Sequence, residues 1–189
     1  MSATMIPAAK RATIDDLLRY DGKAELIDGK LVKYMAAGIR HSRIATMICV
    51  MLLQFEKATK LGYAFDDNLG YRVAELFSGR ESFSPDVSFY VGQLSLKDKG
   101  FVEGPPTFAV EIRSPEEYGS AAEKAIAAKR ADYFEAGTLV VWDVDPDAKT
   151  ITSYRSDAAT TPTVFKVGDT ATAEPALSGW KLNVAEVLG

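Results

Sequence analysis

TFAVEIRSPEE, residues 107–117, alternates with a period of two and then breaks into a turn. Phe108, Val110 and Ile112 fall on one face of a strand, and Ala109, Glu111 and Arg113 on the other. The first face is wholly apolar, which predicts a strand buried on that side. The second face starts apolar and ends on a carboxylate and a guanidinium. A carboxylate at the end of a strand that otherwise belongs inside needs solvent, a partner or a ligand.

Upstream, DVSFYV (86–91) repeats the pattern, with Val87, Phe89 and Val91 on one face and Asp86 and Ser88 on the other. If the two strands pair antiparallel through the loop GQLSLKDKGFVEGPP (92–106), the start of the first lies beside the end of the second. Asp86 and Glu111 are then cross-strand neighbours with Cβ atoms about 5 Å apart. Two carboxylates that close repel unless a proton or a cation lies between them. A hard divalent cation such as Mg²⁺ suits that place, because it takes carboxylate oxygens and keeps several waters. Either acid alone reads as a strand-end residue reaching solvent; the register makes the pair a candidate site.

Further out, Ser120–Ala136 reads as a helix closed by Gly137, with Ala122, Ile126, Tyr133 and Ala136 on one face. Lys129 falls within the same arc, so it either snorkels out of the boundary or reaches over the sheet towards the carboxylates. Residues 39–61 read as a second helix ending at Gly62, with Ile44, Ile48, Leu52 and Phe55 as its stripe and His41 at its start. One histidine cannot supply a zinc site alone, and His41 reads as adjacent to the site. TIDDLLRY (13–20) reads as a short capped helix, with Asp16 three residues after Thr13. AELIDGKLVKY (24–34) reads as a hairpin around Asp28-Gly29, in which the spacing puts Glu25 at the surface. TLVVWDV, the turn DPDA and KTITSYR continue as strand, turn and strand, and the tail as more strand and turn. The whole predicts one α+β domain over 1–189, a mixed sheet with helical cover.

The 189 residues are 47% hydrophobic and 25% charged, the composition of an ordinary globular protein. A net charge of −4 gives no global attraction for nucleic acid, although a local basic groove can coexist with it. The single cysteine, Cys49, excludes an intrachain disulfide and a Cys-rich zinc site. MSATMIPAAKRAT lacks the apolar core of a signal peptide, and IATMICVMLL is too short to span a bilayer. The expectation is a cytoplasmic chain without a membrane anchor.

Taken in order, AELIDGKLV, His41 opening a long helix, SPDVSFY, FAVEIRSP, KRADYFEAGTLVVWDVDP and ITSYR resemble the PD-(D/E)XK nuclease superfamily, and more narrowly its Uma-two family. The resemblance runs from about Tyr20 to the end. It implies a restriction-endonuclease-like mixed sheet flanked by helices, and a metal-dependent endonuclease that hydrolyses phosphodiester bonds in DNA. Asp86 and Glu111 would bind Mg²⁺ or Mn²⁺, with the Ile112 carbonyl as a further ligand and Glu25 as an accessory acid. The superfamily lysine stands two residues after the glutamate, where this chain has Arg113; Lys129 would be its migrated substitute. Arginine cannot serve as a base but can hold a phosphate, a role that Lys97 and Lys99 would share. The resemblance also implies a homodimer. Arg113 and the acidic charge favour a rival reading, a nuclease-like fold that no longer cuts and serves as a binding or dimerisation module. A third reading is a purely structural oligomer subunit.

Overall fold

The computed structural model describes residues 11–95, 97 and 100–189. It opens on α1 (Ile14–Leu18), where the Thr13 side chain accepts from the Asp16 N–H and the Asp16 carboxylate accepts from the Thr13 N–H. The hairpin β1 (Ala24–Ile27) and β2 (Lys30–Lys33) turns through Asp28 and Gly29, both at positive φ, as a two-residue primed turn requires. Then come α2 (Ile39–Thr59), β3 (Gly62–Phe65), β4 (Tyr71–Arg72), β5 (Ser82–Phe83), β6 (Val87–Val91), β7 (Val102–Glu103) and β8 (Phe108–Ile112). The chain finishes with α3 (Ser120–Ala136), β9 (Val140–Asp145), β10 (Thr150–Arg155), β11 (Thr163–Lys166), β12 (Thr170–Thr172), β13 (Lys181–Asn183) and α4 (Val184–Leu188).

Six strands form one mixed sheet in the order β11-β10-β9-β8-β6-β3, in which β8 and β9 pair parallel and their neighbours antiparallel. The alternation read from residues 108–113 divides its two faces. Phe108, Val110 and Ile112 join Val87, Phe89, Trp142 and Ile151 under Ile44, Ile48 and Leu52 of α2 and the C-terminal segment around Leu177 and Trp180. Phe108, Trp142 and Trp180 meet with ring centroids 5.1–5.7 Å apart. Truncating an aromatic ring buried this completely costs about 3–5 kcal/mol. On the opposite face, Ala109 and Val141 pack with Tyr133 of α3 and with Tyr71 and Phe83 of a small sheet, β5-β4-β7. The architecture is α+β, with the sheet covered on both sides.

Two boundaries differ from expectation. Helix α2 ends at Thr59, and its C-cap is Lys60 in the left-handed conformation, whose N–H donates to the Glu56 carbonyl (2.8 Å). Gly62 instead opens β3, where a Cβ would stand 1.9 Å from the Tyr90 carbonyl oxygen. That glycine is a close-approach residue rather than a helix stop. The tail contains the short α4 beside its strands. Lys97 is exposed, and Lys99 lies outside the described residues.

Candidate active site

Strands β6 and β8 pair with Val87 opposite Val110, and the Asp86 N–H donates to the Val110 carbonyl (3.1 Å). Asp86 stands just before β6, and its N–H bonds to the same residue that faces Val87, so it sits at an irregular strand start close enough for its charge to act on Glu111. Asp86 curls over the strand end: its Oδ2 accepts from the Ile112 N–H (2.8 Å) and lies 3.0 Å from His41 Nε2. Its Oδ1 accepts from the Lys23 ammonium at 2.8 Å. Burial would raise the Asp86 pKa, but the bond with His41 and the charge of Lys23 outweigh it and hold the carboxyl below its usual range. The same bond raises the His41 pKa.

Glu111 lies on the α3 side of the sheet, and Lys129 reaches it as the helical arc allowed. The Lys129 Nζ is 2.8 Å from Glu111 Oε1 and 3.2 Å from Glu25 Oε1. The Tyr133 hydroxyl donates to the same Glu111 oxygen (2.6 Å). Burial raises the Glu111 pKa against the pull of Lys129, and the charges of Asp86 and Glu25 add to the rise. Burial would lower the Lys129 pKa, but Glu111 and Glu25 reverse it, so the ammonium stays protonated.

Glu25, expected at the surface from its spacing, is instead fully buried. The N–H of Leu26 donates to Ser82 Oγ (2.8 Å) and the N–H of Glu81 to the Leu26 carbonyl (2.9 Å), which docks β1 against residues 80–84. Glu25 there accepts from the Ser84 N–H (3.0 Å), the Tyr34 hydroxyl (2.8 Å) and Arg80. Burial would raise its pKa, but the charges of Lys129 and Arg80 bring it down to about 2. Arg80 in turn donates to Asp132 (2.8 Å). Glu25 thus meets the other acids through Lys129, with both of its oxygens already engaged.

Arg113 borders the same cavity but is held by other carboxylates. Its guanidinium donates to both oxygens of Asp143 (2.8 and 2.7 Å) and to both of Glu123. With those donors spent on carboxylates, the expected phosphate contact has no free fork to use. Sequence reasoning missed Lys23, Arg80, Tyr34 and the polar end of Tyr133. Lys23 lies in the irregular stretch before β1 and Arg80 in an isolated bridge with Ile27, where no periodicity marks a residue as inward-facing. Asp86, Glu111, Lys129, His41 and Lys23 all border one cavity of about 800 Å³.

The family model described as "Putative restriction endonuclease", Uma2, matches residues 13–185. The chain belongs to the Uma2 family. A crystal structure described as "a putative nuclease belonging to DUF820", from Anabaena variabilis, is 20% identical to this Uma2 chain. The two superpose with a TM-score of 0.72 over 93% of this chain and 97% of that one, a likeness of fold. No curated protein matches it.

The resemblance implies a divalent metal, and the donor chemistry at the end of β8 bears on that expectation. Asp86 and Glu111 border the same cavity as hard oxygen donors. Among the described residues, no protein group donates to Glu111 Oε2. The Ile112 N–H points at Asp86, and in an antiparallel pair the carbonyl of the same residue points the same way. No group of three or more His, Cys, Asp or Glu side chains converges among the described residues. A carboxylate pair is the sparse donor set that Mg²⁺ tolerates and that a zinc or calcium cage does not resemble.

Proposed function

We propose that this Uma2 chain is a metal-dependent endonuclease that hydrolyses phosphodiester bonds in DNA. The observation that carries the reading is that Asp86 and Glu111 border one cavity at the end of β8, with the Lys129 ammonium seated on Glu111. Asp86, Glu111 and the Ile112 carbonyl would hold Mg²⁺ or Mn²⁺. Bound there, the ion would polarise the scissile phosphate and lower the pKa of a bound water. Lys129 orients Glu111 and opposes the rise that burial gives its pKa, and its protonated ammonium makes it an electrostatic donor to the developing phosphate charge rather than a base. Glu25 fixes Lys129 from behind, and Arg80 fixes Glu25. The bond between His41 and Asp86 keeps that carboxylate turned towards the strand end. Membership of a family described as restriction endonucleases supports the same conclusion.

The test is nicking of supercoiled plasmid by pure protein with Mg²⁺ or Mn²⁺, beside Asp86→Ala and Glu111→Ala. Nicking by the wild type that both substitutions abolish is expected. Equal nicking by all three proteins means a contaminant. No nicking by the wild type on any DNA form leaves a DNA-binding or dimerisation module as the better reading.

A further inference from the structure

Lys23 borders this cavity and, among the described residues, has Asp86 as its carboxylate partner. It precedes β1, and its carbonyl accepts from the Tyr34 N–H (3.0 Å), which pins its backbone at the root of the hairpin. Its side chain is 18% exposed, borders the cavity, and ends 2.8 Å from Asp86 Oδ1. The other Asp86 oxygen already serves the Ile112 N–H and His41, so Oδ1 is where Asp86 has capacity for a cation. The Tyr34 ring lies between two lysines, 6.0 Å from the Lys23 Nζ and 5.6 Å from the Lys129 Nζ. Asp86 and Glu111 therefore each hold a lysine. Lys129 is held by two carboxylates, Glu111 and the buried Glu25, so leaving would break two ion pairs at once. Lys23 strands nothing buried except Asp86, and a divalent ion on Asp86 would replace its charge.

We infer that Lys23 is the built-in counter-ion of the metal-free site, that it yields Asp86 Oδ1 to an incoming divalent cation, and that it then turns its ammonium to a DNA phosphate. This rests on the proposed metal-dependent reading. A compact ammonium on a flexible four-carbon stem suits such an exchange, since it needs only rotation about side-chain bonds. The exchange also couples the two ligands. Metal frees a phosphate-binding cation, and phosphate gives that cation somewhere to go, so each ligand strengthens the other.

Calorimetric titration of the full chain with MnCl₂ tests the first half, using wild type, Lys23→Gln, Lys23→Arg and Asp86→Asn. Lys23→Gln should bind Mn²⁺ about tenfold more tightly, because a competing charge a few ångströms away is gone. Lys23→Arg should bind like wild type. The sign is decisive: a lysine that merely supported the ligands would, when removed, lower metal affinity by about 10–100-fold. Equal or weaker binding in Lys23→Gln overturns the inference, as does tightening in Lys23→Arg as large as in Lys23→Gln. If wild type, Lys23→Gln and Lys23→Arg all fail to bind Mn²⁺, the carboxylate-pair reading itself fails and takes this one with it. Binding that survives in Asp86→Asn places the metal elsewhere and overturns both readings. The second half is read from the salt dependence of DNA binding, with Ca²⁺ as a probe ion. With Ca²⁺, the log–log slope should be smaller by about one in Lys23→Gln than in wild type, the signature of one lost phosphate contact. Without Ca²⁺ the slopes should match, and equal slopes in Ca²⁺ overturn the phosphate role.

Discussion

Replacing Lys129 with methionine keeps the length of the side chain and removes its charge. At an effective dielectric of about 20, an ion pair at the Lys129–Glu111 distance has a gross attraction of about 6 kcal/mol, much of it offset by desolvation. Glu25 would keep the Ser84 N–H, Tyr34 and Arg80, and so stay ionised and fixed. Glu111 would keep only the Tyr133 hydroxyl. The cost of leaving a partly buried carboxylate without its cation is about 3 kcal/mol, at the low end for a buried pair because the Glu111 side chain is 25% exposed. That loss is visible as a lower Tm by circular dichroism in the metal-free protein. Cleavage should fall by roughly 100-fold or more, the scale of removing a positioned electrostatic donor. Single-turnover plasmid nicking at saturating Mn²⁺ separates this loss from weaker metal binding. Lys129→Arg should not restore the rate, because a planar fork cannot sit on both Glu25 and Glu111 as a point charge does. Full cleavage by Lys129→Met would refute the assignment.

Asp86→Ala and Glu111→Gln should both abolish Mn²⁺ binding by calorimetry but move metal-free stability differently. Asp86→Ala strips acceptors from Lys23, His41 and the Ile112 N–H and should lower the Tm, whereas Glu111→Gln keeps an acceptor for Tyr133, relieves repulsion and should leave the Tm unchanged or raised. Arg113→Ala should cost about 3–5 kcal/mol in urea unfolding by stranding the buried Asp143, with the salt slope of DNA binding unchanged. A reduced slope at unchanged stability would return Arg113 to a phosphate-binding role. Glu25 titrates in the fold near 2 instead of 4.5, so it contributes about 3 kcal/mol of stability above pH 4.5 that is lost as pH falls towards 2. Glu25→Gln should be less stable at pH 7 and show a flatter acid limb in Tm between pH 5 and 2; an acid limb like that of wild type would count against the assignment.

Periodicity made much of the fold and half of the site legible. The alternation of residues 86–91 and 107–113 specified which side chains share a face, because a strand's period of two admits no other arrangement once one face is apolar. The same patterns made Asp86 and Glu111 a candidate pair, and the 100° step of a helix put Lys129 on the arc that reaches Glu111. Capping at Thr13, the Asp28-Gly29 turn and the Gly137 stop were local, since each depends on a few backbone torsions. What the chain order could not show is where a loop or a hairpin docks. Glu25 looks solvent-facing in its own hairpin and becomes buried only because β1 lies against residues 80–84, more than fifty positions away in sequence. Arg80 and Lys23 carry no pattern, so their ion pairs with Glu25 and Asp86 exist only once the sheet brings those segments together. Gly62 reads as a helix stop in sequence and acts in space as room for the Tyr90 carbonyl. Arg113 sits where a catalytic lysine would be expected, but Asp143 on the parallel neighbour and Glu123 on α3 hold its guanidinium. Local torsion and periodicity are written along the chain, but which charges neutralise one another is decided by tertiary packing, because a buried ion keeps its charge only where partners from distant segments converge on it.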